Sequence, residues 1–96
     1  MKKLQDKEAP GTSPKVPVAS VDQELVQRLL AGDEEAFNAL IKQHHAALVR
    51  LARMFVSTQA SAEEVVQETW EAVLTGLPRF QGRSSLKTWI FRILSN

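Results

Sequence analysis

Residues 80–92, "FQGRSSLKTWIFR", place Arg83, Lys87 and Arg92 among Phe80, Trp89 and Phe91 with no acid between them. Cations interleaved with aromatics suit single-stranded or distorted nucleic acid, because the charges hold the backbone while the rings stack on exposed bases. Each stack contributes on the order of 1–3 kcal/mol, enough to keep a base out of a duplex. Arg79, Arg83, Lys87 and Arg92 also surround a loop and a helix start. Free backbone N–H groups and the helix dipole favour phosphate at such a place. The spacing of Trp89 with Leu86, Ile90 and Ile93 leaves two roles open for it, a buried anchor or a nucleic-acid contact. Phe91 falls off that apolar stripe.

Immediately upstream, "SAEEVVQETWEAVL" (61–74) carries Glu63, Glu64, Glu68 and Glu71 and no cation. Its composition fits a solvated acidic face or a docking surface for a basic partner. A carboxylate di-metal site would need Glu-x-x-His pairs projecting into a core, and here the core positions hold Val, Trp and Leu. His44 and His45 are adjacent and point about 100° apart on a helix, so they do not chelate as an i, i+4 pair would. Gly82 stands alone and makes no Gly-rich phosphate cradle. No catalytic residues, metal or cofactor are expected, and the chain is not expected to be an enzyme.

Ninety-six residues with a formal net charge of +1 leave room for one domain. The near-neutral average hides a separation: residues 21–60 mix both signs, 61–74 are acidic and 77–96 are basic. Residues 1–20, with three prolines and no apolar period, read as a flexible, disordered arm. No apolar region follows the N-terminal lysines as a secretory signal requires, and no run is long enough to span a bilayer. The absence of cysteine excludes disulfides and thiolate metal sites and fits a reducing cytoplasm.

The pattern from residue 21 onward is helical. Ser20 or Asp22 is expected to cap a short first helix with Val21, Leu25, Val26, Leu29 and Leu30 on its apolar stripe. Gly32 ends it and Asp33 caps the second, along which Phe37, Leu40, Ile41, His44, Leu48, Leu51, Ala52 and Phe55 recur at three- and four-residue steps. Ser61 is expected to cap the third helix, with Glu64 at the capping-box position. Ala62, Val65, Val66, Thr69, Trp70, Val73, Leu74 and Leu77 form its inner face, and Gly76 and Pro78 mark its end. Ser84 or Ser85 then caps a fourth helix with Leu86, Trp89, Ile90, Ile93 and Leu94 inward. The expected fold is all-α, a small helical bundle of three long helices and one short one. The fourth helix reaches Asn96 without a stop signal and is expected to be truncated there.

Three stretches together resemble region 2 of bacterial RNA polymerase sigma factors of the extracytoplasmic-function (ECF) type. They are "ELVQRLLAGDEEAFNALIKQHHAALVRLARMFV", "SAEEVVQETWEAVL" and "RFQGRSSLKTWIFRILSN", and the resemblance covers roughly residues 22–96. The resemblance implies a sigma-2 domain over residues 21–96. It implies that Glu64, Gln67, Glu68 and Glu71 contact the coiled coil of the polymerase β′ clamp. It further implies that Phe80, Gln81, Gly82, Arg83, Ser84 and Ser85 hold a flipped non-template base of the promoter minus-ten element. Lys87, Thr88, Trp89, Phe91, Arg92 and Asn96 would read and melt neighbouring positions, with the tryptophan near the fork. Trp70 stands in a buried slot where many members carry Phe. Such a domain supplies address and melting, while polymerase makes the bonds. It works in the bacterial cytoplasm, at the nucleoid when bound to polymerase, and many relatives are held inactive by an anti-sigma factor. The second DNA-binding domain that reads the minus-thirty-five element is not in this sequence, so the chain is not expected to initiate transcription alone. The alternative is a helical protein-interaction module whose charged faces bind protein only. A double-stranded helix-turn-helix reader fits poorly, because it wants a short turn between short helices.

Overall fold

The computed structural model describes the backbone of residues 18–96 and the side chains of residues 21–96. Four helices follow in order: α1 (Val18–Leu30), α2 (Glu34–Ala52), α3 (Gln59–Gly76) and α4 (Leu86–Ser95), with a 3-10 turn, Leu77–Arg79, after α3. The described residues contain no strand, as the all-α expectation requires. The expected arm lies outside the described residues except for Val18–Ser20, which form the first turn of α1. Ser20 and Asp22 are thus inside α1, and neither caps it.

The α1–α2 corner follows from three residues. Gly32 adopts φ +85°, its N–H donates to Leu29 O at 3.1 Å, and Asp33 N–H donates to Arg28 O at 3.0 Å. These two bonds form a Schellman closure, which a side-chain-free residue with positive φ makes possible. Asp33 then caps α2 by accepting from Ala36 N–H at 3.1 Å, and pairs with Arg28 at 3.0 Å. The Ala36 bond, followed by the Arg28 guanidinium, lowers the Asp33 carboxyl below its usual range.

One row of α2 (Ala36, Leu40, His44, Leu48 and Ala52) lies buried at four-residue steps. It packs against Ala62, Val66, Thr69, Trp70 and Val73 of α3. Small residues at Ala52 and Ala62, both fully enclosed, bring the helices together at the α2–α3 corner. The buried Thr69 hydroxyl is satisfied by donating to Val65 O at 2.9 Å. Trp70 meets Phe37 edge-on, with ring centroids 5.9 Å apart. Leu86 and Ile90 of α4 close the core against α3 and α2.

Four expectations change here. The cap of α3 is Thr58, whose Oγ1 accepts from Ser61 N–H at 3.0 Å. Ser61 is therefore already helical, and in place of a capping box with Glu64, Gln59 Nε2 donates to Glu63 at 3.0 Å. Phe55 is 63 % exposed, because α2 stops at Ala52 and Val56 turns back against the core instead. Leu74 is exposed at the edge of the α3 stripe, and Val21 and Leu30 of α1 are exposed as well. Phe91 is partly buried against the core, since α4 has a second neighbour in α2: its ring meets His44 edge-on at 5.9 Å.

His44 is buried, and desolvation, with the nearby Lys87 charge, lowers its pKa from the ordinary value. The folded state therefore holds the neutral imidazole, while the unfolded chain takes up a proton near about pH 6.5. Stability is full above that pH and falls as pH drops through the window below it. Thermal melts at a series of pH values between about 7 and about 5 should show this slope, and His44→Gln should flatten it. An unchanged slope in the variant would mean that His44 does not carry the acid sensitivity of this window.

Candidate nucleic-acid interface

The 3-10 turn ends where Phe80 N–H donates to Leu77 O at 3.1 Å and Phe80 turns extended. Gly82 follows at φ +73°, a conformation that a side chain would strain. The chain then enters α4 at Ser85. The Ser85 hydroxyl accepts from Thr88 N–H at 3.1 Å and donates to Thr88 Oγ1 at 2.9 Å. Both hydroxyls are thus committed to holding the first turn of α4.

Trp89 is half-buried, so part of its indole packs inward and part stays accessible. One face of the indole meets Phe80, with ring centroids 4.9 Å apart and planes inclined by 50°. Its six-membered ring lies over Gly76, where a Cβ would come within 3.0 Å of Cζ2. A glycine at the end of α3 therefore seats the tryptophan, which carries the loop through Phe80. Lys87 Nζ sits 5.7 Å from the centroid of the partly buried Phe91 ring, a cation–π contact.

Three depressions surround this loop and helix. The first, about 360 Å³, lies between Phe80–Ser85 and the α1 residues Asp22 and Gln23. Its volume is at the lower end of the range for small-molecule sites. The second, about 220 Å³, is lined by Arg79, Phe80, Gln81, Arg83, Ser84, Trp89 and Arg92. The third, about 400 Å³, runs along α4 past Lys87, Thr88, Phe91, Arg92 and Ser95. Every residue expected to contact nucleic acid lines one of them except Asn96, which is exposed just beyond α4. Among the described residues none of Arg79, Arg83, Lys87 and Arg92 forms an ion pair, so their charge faces solvent.

At the start of α4, two of the N–H groups expected to be free, those of Leu86 and Thr88, already have side-chain acceptors. Leu86 N–H donates to Asp22 Oδ2 at 2.8 Å, a bond that crosses from α1 over 64 residues of sequence. The sequence pattern suggests Asp22 as a cap for its own helix, and no local signal connects it to Leu86.

The acidic residues of α3 divide into two rows. Glu63, Gln67 and Glu71 border a groove of about 400 Å³ whose floor includes Phe37, Ile41, Trp70 and the exposed Leu74. Glu64 and Glu68 are exposed further round the helix and do not line it. Trp70 Nε1 is buried with no hydrogen-bond partner among the described residues. Those residues contain no group of three or more His, Asp or Glu that could hold a metal ion. No helix among them is long and apolar enough to cross a membrane.

The family model for Sigma-70 region 2 matches residues 40–96, which take in most of α2, all of α3 and the loop–α4 unit. The chain belongs to the sigma-70 region 2 family. Several of its curated relatives are named as ECF RNA polymerase sigma factors. It is 35% identical over 74 residues to the RNA polymerase sigma factor NccH of Alcaligenes xylosoxydans xylosoxydans, covering 77% of this chain and 40% of that protein. It is 35% identical over 75 residues to the ECF RNA polymerase sigma-E factor of Escherichia coli, covering 78% and 39%. The ECF RNA polymerase sigma factor SigM of Mycobacterium tuberculosis is 33% identical over 75 residues, covering 78% and 38%. The chain thus spans about two fifths of the length of these relatives. An NMR structure of an engineered region 2 of sigmaE in complex with GTAAAA superposes with a TM-score of 0.69 at 32% identity, over 78% of each chain. The region 2 fold expected from the sequence is therefore present, with the acidic α3 and the basic loop–α4 unit as separate surfaces.

Proposed function

We propose that this region 2 domain recognises the non-template strand of a promoter minus-ten element and holds it open for RNA polymerase. The observation that carries the reading is the cleft between Phe80–Ser85 and α1, flanked by solvent-facing cations and by the Trp89–Phe80 pair. A flipped base enters that cleft, and Trp89 supplies a ring at the edge of the melted duplex. Arg79, Arg83, Lys87 and Arg92 hold phosphates along the second and third depressions. The likeness to a region 2 solved in complex with GTAAAA supports this reading. The acidic α3 surface, with Gln67 and Glu71 at its groove and Glu64 and Glu68 beside it, docks the basic β′ clamp coiled coil. An anti-sigma factor covering either surface would silence the domain. In this reading the domain makes no bonds and works where polymerase works, in the bacterial cytoplasm.

The test is a fluorescence-anisotropy titration of labelled GTAAAA, a scrambled hexamer and a duplex at several salt concentrations. Binding is expected to prefer single-stranded GTAAAA and to weaken with salt. Arg83→Ala or Arg92→Ala should reduce the slope of log affinity against log salt by about 0.7 for each phosphate no longer neutralised. Glu68→Lys should leave this titration unchanged and weaken capture by core polymerase. Equal affinity for every strand and for duplex would defeat the minus-ten reading.

A further inference from the structure

We propose that Asp22, on α1, is the positioning residue of the base cleft, and that its carboxylate makes the cleft a site for a neutral base rather than for phosphate. This rests on the function proposed above. Asp22 is partly buried at the wall of the first depression, facing the loop Phe80–Ser85. Its Oδ2 accepts from Leu86 N–H at 2.8 Å, while Ser85 Oγ accepts from Thr88 N–H at 3.1 Å. Two donors at the start of α4 are thus satisfied, one locally and one from a different helix. The local cap holds the first turn of α4 together, and Leu86 and Ile90 pack the helix on α3 and α2, but neither reaches α1 across the cleft. Among the described residues, the Asp22 bond is the hydrogen bond that ties that turn, and hence the end of the loop, to α1 across the cleft.

The charge has a second effect. A helix N-terminus beside Arg83 would ordinarily draw an anion. A carboxylate already seated there supplies the negative charge and repels a phosphate, so the polynucleotide backbone is confined to the outer depressions lined by Arg79, Lys87 and Arg92. What remains admissible between Asp22 and Phe80 is an uncharged ring with N–H groups on its edge.

The experiment compares wild type, Asp22→Ala and Asp22→Asn in the GTAAAA and scrambled-hexamer titration, with amide hydrogen exchange at Leu86 followed by NMR. The asparagine carbonyl can accept the same bond without the charge. Asp22→Ala is expected to lose about tenfold of the preference for GTAAAA, the size of one charge-assisted hydrogen bond, and to speed exchange at Leu86. Asp22→Asn is expected to keep the preference and the slow exchange, while binding both hexamers more tightly at low salt because a repelling charge is gone. Full preference in Asp22→Ala overturns the proposal, and so does loss of preference in Asp22→Asn. If Asp22→Ala does not fold, the asparagine variant alone decides on the same criteria. If wild type shows no preference between hexamers, the promoter reading has failed. Exchange at Leu86 then still decides whether Asp22 positions α4, and unchanged exchange in Asp22→Ala rejects it.

Discussion

Trp89→Ala is expected to weaken binding of GTAAAA about ten- to a hundredfold, the range for removing one base–aromatic stack. The variant removes the ring that bridges Gly76, Phe80 and the second depression. Part of the loss therefore comes through the loop, whose Phe80 no longer has a surface to rest on. Trp89→Phe should restore much of the affinity, because a smaller ring still stacks. Gly76→Val approaches the same ring from below. Even the first added carbon meets Cζ2 at 3.0 Å, so the indole must tilt, and affinity should fall although every side chain proposed to contact DNA is intact. Titration of the three variants, with melts to confirm folding, checks the argument. An affinity unchanged in Trp89→Ala would leave Trp89 as a packing residue only.

Ile90→Ala is expected to destabilise the domain by about 2–5 kcal/mol, the cost of emptying a well-packed aliphatic site. Ile90 is fully enclosed in α4, one residue from Trp89, where that helix meets both α3 and α2. Total stabilities of small domains are about 5–15 kcal/mol, so this one change removes a large share. Ile90→Val, which shortens the side chain by a single carbon, should cost only about 0.5–1.5 kcal/mol. Urea denaturation reads both as a lower midpoint at constant slope. A smaller effect for the alanine variant would mean that α4 collapses onto the space.

Local chemistry is legible in the sequence wherever the partner of a residue lies within one turn. Gly32 and Asp33 declare their roles, and Ser85 is one of two adjacent candidates, because a positive-φ residue and a short oxygen-bearing side chain act on their own neighbours. Thr58 does not stand out from Ser61 in the same way, because a run of five residues offers several hydroxyl acceptors and the choice depends on where α2 ends. Phe55 and Leu74 continue perfectly good helical periods, yet periodicity does not reveal where the facing helix stops. Phe91 falls off the stripe only because a stripe assumes one neighbour, whereas α4 packs against two. The members of the loop–α4 surface are readable from the sequence, since charge, aromatics and the Gly82 turn are contiguous there. Asp22 is not, because nothing within reach of residue 22 in the chain indicates residue 86.

The Asp22–Leu86 bond also moves the edge of the folding unit. The stretch matched to the Sigma-70 region 2 family begins at residue 40, inside α2, and a fragment cut to that boundary would retain all of α3, the loop and α4. It would lack α1, and with it the acceptor for Leu86 N–H and the wall of the cleft formed by Asp22 and Gln23. It would also expose Leu77 and the loop root, where α1 lies against the 3-10 turn. The segment matched by the family model and the segment that encloses the cleft are therefore of different length. In this chain the difference is a helix that carries none of the cations or rings of the reading surface and yet holds that surface in place.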